Sequence, residues 1–405
     1  MSILDLLDQQ QCWQAFLEYK VSRGHLPKKD AETLDAIIKA ESYLPAVRAI
    51  QQGKLLPAPQ KLLLNKLGTG KKRTVYCFEG ELMWVLKLLA WLLYDFDDRQ
   101  PEGCYSFRRY YGAHRAINQI VRTPQINSKW CCKLDITDYF NSINITKLLP
   151  ITREVFGDDT ALADFIERLL TTDTALFDGE LIHEKRGVMA GTPTSPFLAN
   201  LYLRELDTWF VEQGFTYARY SDDIILFADS KVEIESCYQN AKRIITEHDL
   251  SINEQKAYIA APGEVWEFLG LSYHAGTIDL SRATKDKLKG KIRRKARSLR
   301  RWMLRKEATA ERTQRAFIRS FNQKFYESRD ANDLTWSRWF FPLLTTSDSL
   351  REIDQYLLQY IRYIPTGRFN STNYQVDYQS IKSLGFRSLV NEYYHSQKQQ
   401  LKQPS

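Results

Sequence analysis

The chain lacks the marks of several common protein classes. It has six cysteines, none in a C-x₂-C spacing, and six histidines that form no H-E-x-x-H. Neither a zinc ribbon nor a disulfide framework is indicated, and reduced thiols are the simpler expectation, even for the adjacent Cys131 and Cys132. No basic start precedes an apolar stretch at the N-terminus, where Asp5 and Asp8 stand, so no signal peptide is expected. The most apolar run, Leu82 to Tyr94, is interrupted by Lys87 and falls short of the roughly 20 residues that cross a bilayer. A buried helix is expected there, and a cytoplasmic protein with no membrane partner. Neither an internal repeat nor a low-complexity segment occurs.

What is present points to a polyanion. The 405 residues suffice for several subdomains and a sizeable core, and 43% hydrophobic content is ordinary for a globular protein. The net charge of +8 and pI of about 9.0 suit a nucleic acid without proving one. The charge is concentrated. Between Ser281 and Lys306 stand thirteen basic residues (Arg282, Lys285, Lys287, Lys289, Lys291, Arg293, Arg294, Lys295, Arg297, Arg300, Arg301, Arg305 and Lys306) against one acid, Asp286. Leu288, Ile292, Ala296, Leu299 and Met303 recur at spacings of three or four, so one helical face can pack while the other presents a basic stripe. A merely solvated helix face is the alternative. Beyond residue 320, Phe321, Phe325, Tyr326, Trp336, Trp339, Phe340 and Phe341 can stack on bases, but core packing is the expectation for most.

The chemistry is expected at Tyr220-Ser221-Asp222-Asp223. Two carboxylates lie between the apolar runs Thr216–Tyr220 and Ile224–Ala228, which reads as two strands joined by a two-residue turn at Ser221-Asp222. Such a hairpin holds acids rigidly, as divalent metals require. Alone it competes with a solvated acidic turn. Upstream, Lys133-Leu134-Asp135-Ile136-Thr137-Asp138-Tyr139-Phe140 ends an apolar strand in acids and aromatics, so Asp135 can stand beside Asp222. Carboxylates this close repel one another, and the cluster makes sense with metal bound. Between them, Arg186-Gly187-Val188-Met189-Ala190-Gly191-Thr192-Pro193-Thr194-Ser195-Pro196 is a Gly-rich loop opening a helix, where backbone can approach a ligand.

Elsewhere the pattern is coarser. Residues 1 to about 55 look helical, with Leu34, Ile37, Ile38, Ala40 and Leu44 in one series and a boundary at Pro57 and Pro59. Residues 146–186 read as helical, ending in a hairpin at Asp178-Gly179, and 231–248 as a helix between strands. The tail from His395 is polar and expected to fray.

In this order and spacing, the three segments resemble the motifs of reverse transcriptases. Asn253 and Lys256 resemble a fourth motif and Glu267-Phe268-Leu269-Gly270 the primer grip. Tyr105-Ser106-Phe107-Arg108, with Gly112 to Ile117, and Gly70-Lys71-Lys72-Arg73 resemble fingers segments. The resemblance is to bacterial enzymes of the group II intron and retron lineage, most of all the unknown-group, defence-associated ones, partly through Trp339-Phe340-Phe341-Pro342 and Thr366-Gly367-Arg368. Two departures stand out: Ala190 occupies a position where the family commonly has Gln, and no Asn-Ala-x-x-His occurs.

The resemblance implies an α/β (α+β) right-hand polymerase. Its expected parts are a helical N-terminal extension (1–55), helical fingers (56–128 and 146–186), an antiparallel-sheet palm carrying the Y-x-D-D hairpin (129–145 and 187–280), a basic helical thumb (281–365) and a C-terminal segment (366–405). It implies RNA-directed DNA synthesis from dNTPs on an RNA template with a DNA primer or product, templated by a structured noncoding RNA and serving antiphage defence. Two Mg²⁺ ions, replaceable by Mn²⁺, would be held by Asp135, Ile136, Asp222 and Asp223. Lys256 would be a general acid. Lys72, Arg73, Asp138, Tyr139, Phe140, Ala190 and Gly191 would bind the nucleotide, with Phe140 as steric gate against a 2′-hydroxyl. Tyr220, Phe268, Leu269, Gly270, Arg293, Arg294, Arg297 and Arg301 would hold primer and template. A template-independent or protein-primed polymerase of the same fold, and a catalytically idle RNA-binding protein, remain the alternatives.

Overall fold

The start of the chain is helical for reasons visible in its caps. The Ser2 hydroxyl accepts the Leu4 N–H and Asp5 reaches back to the Ser2 N–H, opening a short 3₁₀ turn over Ile3–Asp8. Helices α1 (Gln10–Ser22), α2 (Lys28–Ala40) and α3 (Leu44–Gln51) follow. The apolar series Leu34, Ile37, Ile38, Ala40 and Leu44 is helical as its spacing suggests, and is shared between two helices. Glu41 takes a left-handed conformation (φ 51°), ending α2 behind Ile38, and Leu44 begins α3. The computed structural model describes residues 1–23, 26–65, 72–184, 187–327, 335–370 and 376–400. Gly70 and Lys71 of the expected fingers segment, and Arg186 ahead of the Gly-rich loop, lie outside the described residues. The chain forms two compact units, one built from residues 1–22 and 26–269, the other chiefly from Gly270 onward.

The first unit holds strands β1 (Gln60–Asn65), β2 (Lys72–Cys77), β3 (Trp130–Asp135), β4 (Thr174–Phe177), β5 (Glu180–His183), β6 (Thr216–Tyr220), β7 (Asp223–Ala228), β8 (Tyr258–Ala260) and β9 (Trp266–Phe268). Its further helices are α4 (Gly80–Leu92), α5 (Ala113–Val121), α6 (Tyr139–Ser142), α7 (Ile145–Phe156), α8 (Thr160–Thr171), α9 (Ser195–Tyr202), α10 (Arg204–Glu212) and α11 (Lys231–Glu247). Helix α4 is the most apolar run and is buried, with Val85, Leu86, Leu88 and Leu89 fully covered and Lys87 laid over the Trp84 ring (3.9 Å to its centroid). Among the described residues no helix is long and apolar enough to cross a membrane.

Two sheets organise this unit. The first is ordered β2-β1-β4-β5 and adds β1 and β2 to the hairpin expected at Asp178-Gly179. β1 and β2 pair antiparallel from Gln60↔Cys77 to Asn65↔Lys72, and Thr74-Val75-Tyr76 has the β-branched and aromatic character that favours a strand. The expected turn at Asp178-Gly179 joins β4 to β5, with both residues at positive φ (51° and 87°). The second sheet, ordered β6-β7-β3-β8, is antiparallel. Its central strands are buried on both faces, so Cys131-Cys132-Lys133-Leu134 and Ile224-Ile225-Leu226-Phe227 read as continuous runs rather than alternating ones. Burial pushes the Cys132 thiol up to about 12, so it stays protonated.

The second unit opens on a hairpin of β10 (Leu271–His274) and β11 (Thr277–Leu280), followed by α12 (Arg282–Arg305), α13 (Ala310–Phe325), α14 (Trp336–Phe340), α15 (Asp348–Thr366), α16 (Tyr378–Ser383) and α17 (Leu389–Gln400). α12 is the basic helix. Ser281 caps it by accepting the Thr284 N–H (3.2 Å), and Leu288, Ile292, Ala296 and Met303 are buried as their spacing predicts. The basic residues divide into two kinds. Lys285 and Lys289 share Glu352, and Arg300 donates to the Ile364 and Pro365 carbonyls (2.8 and 2.9 Å) at the end of α15. Arg293, Arg294, Arg297 and Arg301 are exposed.

The aromatics beyond residue 320 are mainly core, as expected: Phe321, Phe325, Phe340 and Phe341 are buried, and Trp336 packs on Phe325 and Phe340 (5.3 and 4.8 Å between centroids). Of the tail expected to fray from His395, residues 395–400 belong to α17 and residues 401–405 lie outside the described residues. α17 continues to Gln400 because it is anchored upstream, where Tyr393 is buried against Phe341 and donates to the Leu344 carbonyl (2.8 Å).

Candidate active site

The acids are brought together by strand register. β3 pairs with β7 from Trp130↔Ala228 to Asp135↔Asp223, so Asp135 and Asp223 are cross-strand partners on one face. The β6–β7 turn falls at Ser221-Asp222, with Ser221 left-handed at φ 62°. Its next peptide is tied to β3, since Ile136 N–H donates to the Asp222 carbonyl (3.0 Å). Downstream, Asn253 N–H donates to the Asp135 carbonyl (2.8 Å) and Thr137 N–H to that of Ser251 (2.9 Å), docking the 251–256 segment beside Asp135.

The charges are then apportioned. Lys256 Nζ donates to both Asp135 oxygens at 2.8 Å, with Asn253 Nδ2 at 3.4 Å from one of them. Asp223 is ion-paired with Lys133, two residues before Asp135 on the same face of β3. Among the described residues, Asp222 has no such cation in contact. Burial and then the Asp135 charge hold its carboxyl above the ordinary range, while Lys256 and Arg73 pull it down. Lys133 is itself 9% exposed, and burial lowers it to about 8 despite the acids around it. The three carboxylates therefore do not converge as a cage: among the described residues no three His, Cys, Asp or Glu side chains are gathered closely enough to hold a metal ion. Asp135 and Asp222 do fit a divalent cation in donor chemistry, being carboxylates from adjoining elements of which one lacks a counter-charge.

The other expected residues fall into distinct settings. Phe140 on α6 is half-buried, with its ring near Phe107 (6.3 Å) and Tyr139 (5.7 Å). Phe107 also approaches Tyr220 (6.1 Å), so it links the expected gate to the expected primer tyrosine. Tyr139 is turned into the core, where its hydroxyl donates to the Ala199 carbonyl, leaving only its backbone for a ligand. Asp138 is exposed and left-handed (φ 44°) at the start of α6. Lys72 and Arg73 are exposed on β2.

The Gly-rich loop is clamped between these parts. Val188 N–H donates to the Phe140 carbonyl (3.0 Å), Tyr76 N–H to that of Ala190 (2.7 Å), and Ala190 N–H meets Asn141 Oδ1 (3.4 Å). A Cβ at Gly187 would sit 2.3 Å from the Phe140 carbonyl oxygen at φ +54°, so only glycine fits. The Ala190 methyl is 1% exposed, whereas Gly191 faces solvent. In the expected primer grip, Phe268 is buried with Lys133 over its ring (5.1 Å), Leu269 is left-handed (φ 51°), and the two compact units divide before Gly270.

Sequence reasoning missed what lies beneath the turn. Arg219 on β6 and Asp207 on α10 form a fully buried ion pair (Nε to Oδ1 2.7 Å). Tyr217 donates to the same Oδ1 (2.8 Å), and Arg219 also reaches the Ser221 carbonyl (3.4 Å). The only signal was an arginine inside the apolar run Thr216–Tyr220, at a position of β6 that is buried and so demands an acid from elsewhere. Lys133 was equally legible in principle, as a cation two residues from Asp135.

Removing one partner of that pair strands the other. Arg219→Met is expected to cost about 3–5 kcal/mol of stability, read as a fall in the urea unfolding midpoint. Arg219→Met with Asp207→Leu recovers much of the loss, because no buried charge is left uncompensated. A single variant as stable as the parent would mean that the pair contributes nothing.

Comparison with known proteins fits this geometry. The chain is similar to the retron Mx65 reverse transcriptase of Myxococcus xanthus, at 26% identity over 43% of this chain and 43% of that enzyme. It is also similar to the retron Ec86 reverse transcriptase of Escherichia coli, at 24% identity over 56% of this chain and 67% of that enzyme. The chain thus spans less than half the length of the first and about two thirds of the second. A solved telomerase from Candida albicans is alike at TM-score 0.47 and 12% identity, over 85% of this chain and 67% of that one, a likeness too slight to bear on fold or function. The family model for reverse transcriptase (RNA-dependent DNA polymerase) matches residues 65–273, just over half the chain. By that match the chain belongs to the reverse transcriptase family.

Proposed function

We propose that the protein is an RNA-directed DNA polymerase that adds dNTPs to a 3′ hydroxyl. One observation carries the reading: Asp135 and Asp222 stand together at the end of β3 and the β6–β7 turn, within the segment that matches the family. A primer 3′-oxygen attacks the α-phosphate of the incoming nucleotide and pyrophosphate leaves. Divalent magnesium, or manganese in its place, supplies neutralisation of the triphosphate and a more acidic attacking hydroxyl when bound.

The chain's own residues do the rest. Asp135 and Asp222, with the Ile136 backbone, would hold that ion, the exposed Lys256 giving up Asp135 to it, and Asp223 would contribute less because the buried Lys133 holds it. Lys256 compensates Asp135 in the protein alone and is the candidate proton donor to pyrophosphate. Phe140 presents a half-buried ring beneath the sugar. Arg73 carries charge toward Asp222 from β2 and, with Lys72, receives the triphosphate. In this reading residues 129–145 and 187–280 form the palm and 281–365 the thumb. The relatives are retron enzymes, which favours the retron side of the bacterial lineage over the unknown-group side, although the Asn-Ala-x-x-His sequence is missing. A structured RNA as template and a role in antiphage defence belong to the same reading.

The test is primer extension on an RNA template. Asp222→Ala should remove synthesis while the melting temperature stays at the parent value. Asp223→Ala should lower melting as well, because it strands Lys133. A folded Asp222→Ala protein that still extends primers would sink the metal assignment, and an idle RNA-binding protein would make no DNA even as wild type.

Sugar selection tests Phe140. Phe140→Ala is expected to raise ribonucleotide over deoxynucleotide incorporation by about ten- to a hundredfold. An unchanged ratio would make Phe140 a packing residue only.

Salt dependence tests the basic helix. Changing Arg293, Arg294, Arg297 and Arg301 to glutamine should lower the slope of log affinity for an RNA–DNA duplex against log salt by about 0.7–0.9 per lost contact, roughly three in all. Arg300→Gln should instead cost stability, since Arg300 is spent on α15. Equal salt slopes for parent and quadruple variant would make the stripe a solvated face.

A further inference from the structure

Residues 103–107 are not part of any named strand, yet they run along the catalytic hairpin. Arg219 N–H donates to the Gly103 carbonyl (2.8 Å) and Tyr105 N–H to that of Arg219 (2.9 Å), with Cys104 bridged to Arg219 in parallel. This lays a short extra edge on β6. At its end Ser106, fully buried, accepts the Ser221 N–H on its hydroxyl (2.9 Å) and donates that hydroxyl to Asn200 Oδ1 (2.9 Å). Ser221 needs such a partner. It is the left-handed first residue of a two-residue turn, so its amide lies outside the β6–β7 pairing, and the residue is only 8% exposed.

Asn200 is held just as completely. Its Nδ2 donates to the Ser106 carbonyl (2.6 Å) and to Gln100 Oε1 (3.1 Å), and its own carbonyl accepts from Arg219 Nη2 (3.1 Å). It is 2% exposed and sits on α9, the helix that opens at Ser195 directly after the Gly-rich loop. An unbroken line of buried hydrogen bonds therefore runs from the helix behind that loop, through Asn200 and Ser106, to the amide of Ser221, the residue that precedes Asp222 in the turn.

We propose that Ser106 and Asn200 are positioning residues that orient Asp222 through the Ser221 amide. The geometry explains why a hydroxyl is required: Ser106 must accept from Ser221 and donate to Asn200 at once, which alanine cannot do and a thiol does weakly. An amide is required at 200 for the same reason, since Oδ1 accepts from one group while Nδ2 donates to two. Removal of either side chain frees the turn amide and leaves Asp222 correctly placed for only part of the time. Such a defect lowers turnover without touching the groups that bind the nucleotide.

The catalytic arm of the test rests on the polymerase reading; the hydrogen-exchange arm does not. In full-length protein, Ser106→Ala should lower melting modestly, since it strands two buried groups, and should speed amide exchange in the peptide spanning the β6–β7 turn far more than in the rest of the sheet. In primer extension its kcat should fall about ten- to a hundredfold while the dNTP KM holds, and the Mg²⁺ needed for half-maximal rate should rise. Ser106→Cys, which fills the same space, should fall between parent and Ala; a Cys variant equal to the parent would mean that only packing matters. Ser106→Ala combined with Asn200→Ala should be little worse than the worse single variant, because both break one relay. Fully multiplicative losses, or a Ser106→Ala protein with parental exchange and kcat, would overturn the inference. If the wild type makes no DNA, the polymerase reading fails while the exchange measurement still decides whether Ser106 holds the turn.

Discussion

The candidate site depends on a single register. Asp135 meets Asp223, and the Asp222 peptide meets Ile136, only because β3 and β7 pair as Trp130↔Ala228 through Asp135↔Asp223. A slip of one residue would send every side chain of one strand to the opposite face. The cores on both sides forbid it: Cys132, Leu134, Ile224 and Leu226 are fully buried on one face, and the other, with Cys131, Ile225 and Phe227 buried, has to accommodate Lys133 and its carboxylate partner. Apolar packing thus fixes, to within a fraction of a residue repeat, where the acids stand.

Electrostatics then decides how the acids differ. Three carboxylates in one place would repel. The protein assigns a cation to two of them, and among the described residues none contacts Asp222. The uncompensated acid lies on the turn, held from below by the Ser221 amide and the Arg219 guanidinium rather than by its own side chain. Identical residue types therefore acquire unequal readiness to accept a cation, and the inequality comes from Lys133 and Lys256.

Much of this was legible in the sequence. The hairpin turn at Ser221-Asp222, the strand ending at Asp135, the buried run at Leu82 and the basic helix all follow from local residue patterns. Three things were not. The sheet of β1, β2, β4 and β5 joins segments more than a hundred residues apart, and pairing at that distance leaves no local trace. The Asp207–Arg219 pair joins two elements whose separate patterns, an amphipathic helix and a buried strand, give no hint of each other. The helical tail past His395 is set by Tyr393 finding Phe341, a tertiary contact that overrides a polar composition. At Ala190, where the family commonly has Gln, the residue is buried and its backbone is engaged by Tyr76 and Asn141.

The division of α12 into committed and exposed cations also sets a length. Lys285 and Lys289, near its start, are neutralised by Glu352, so its free charge is weighted toward the C-terminal half, where it also opposes the negative end of the helix dipole. From Arg293 to Arg305 the axis advances about 18 Å at 1.5 Å per residue, which matches about five steps of 3.4 Å along one strand of a duplex. The helix has the reach of half a turn of nucleic acid, a footprint measured in a handful of phosphates.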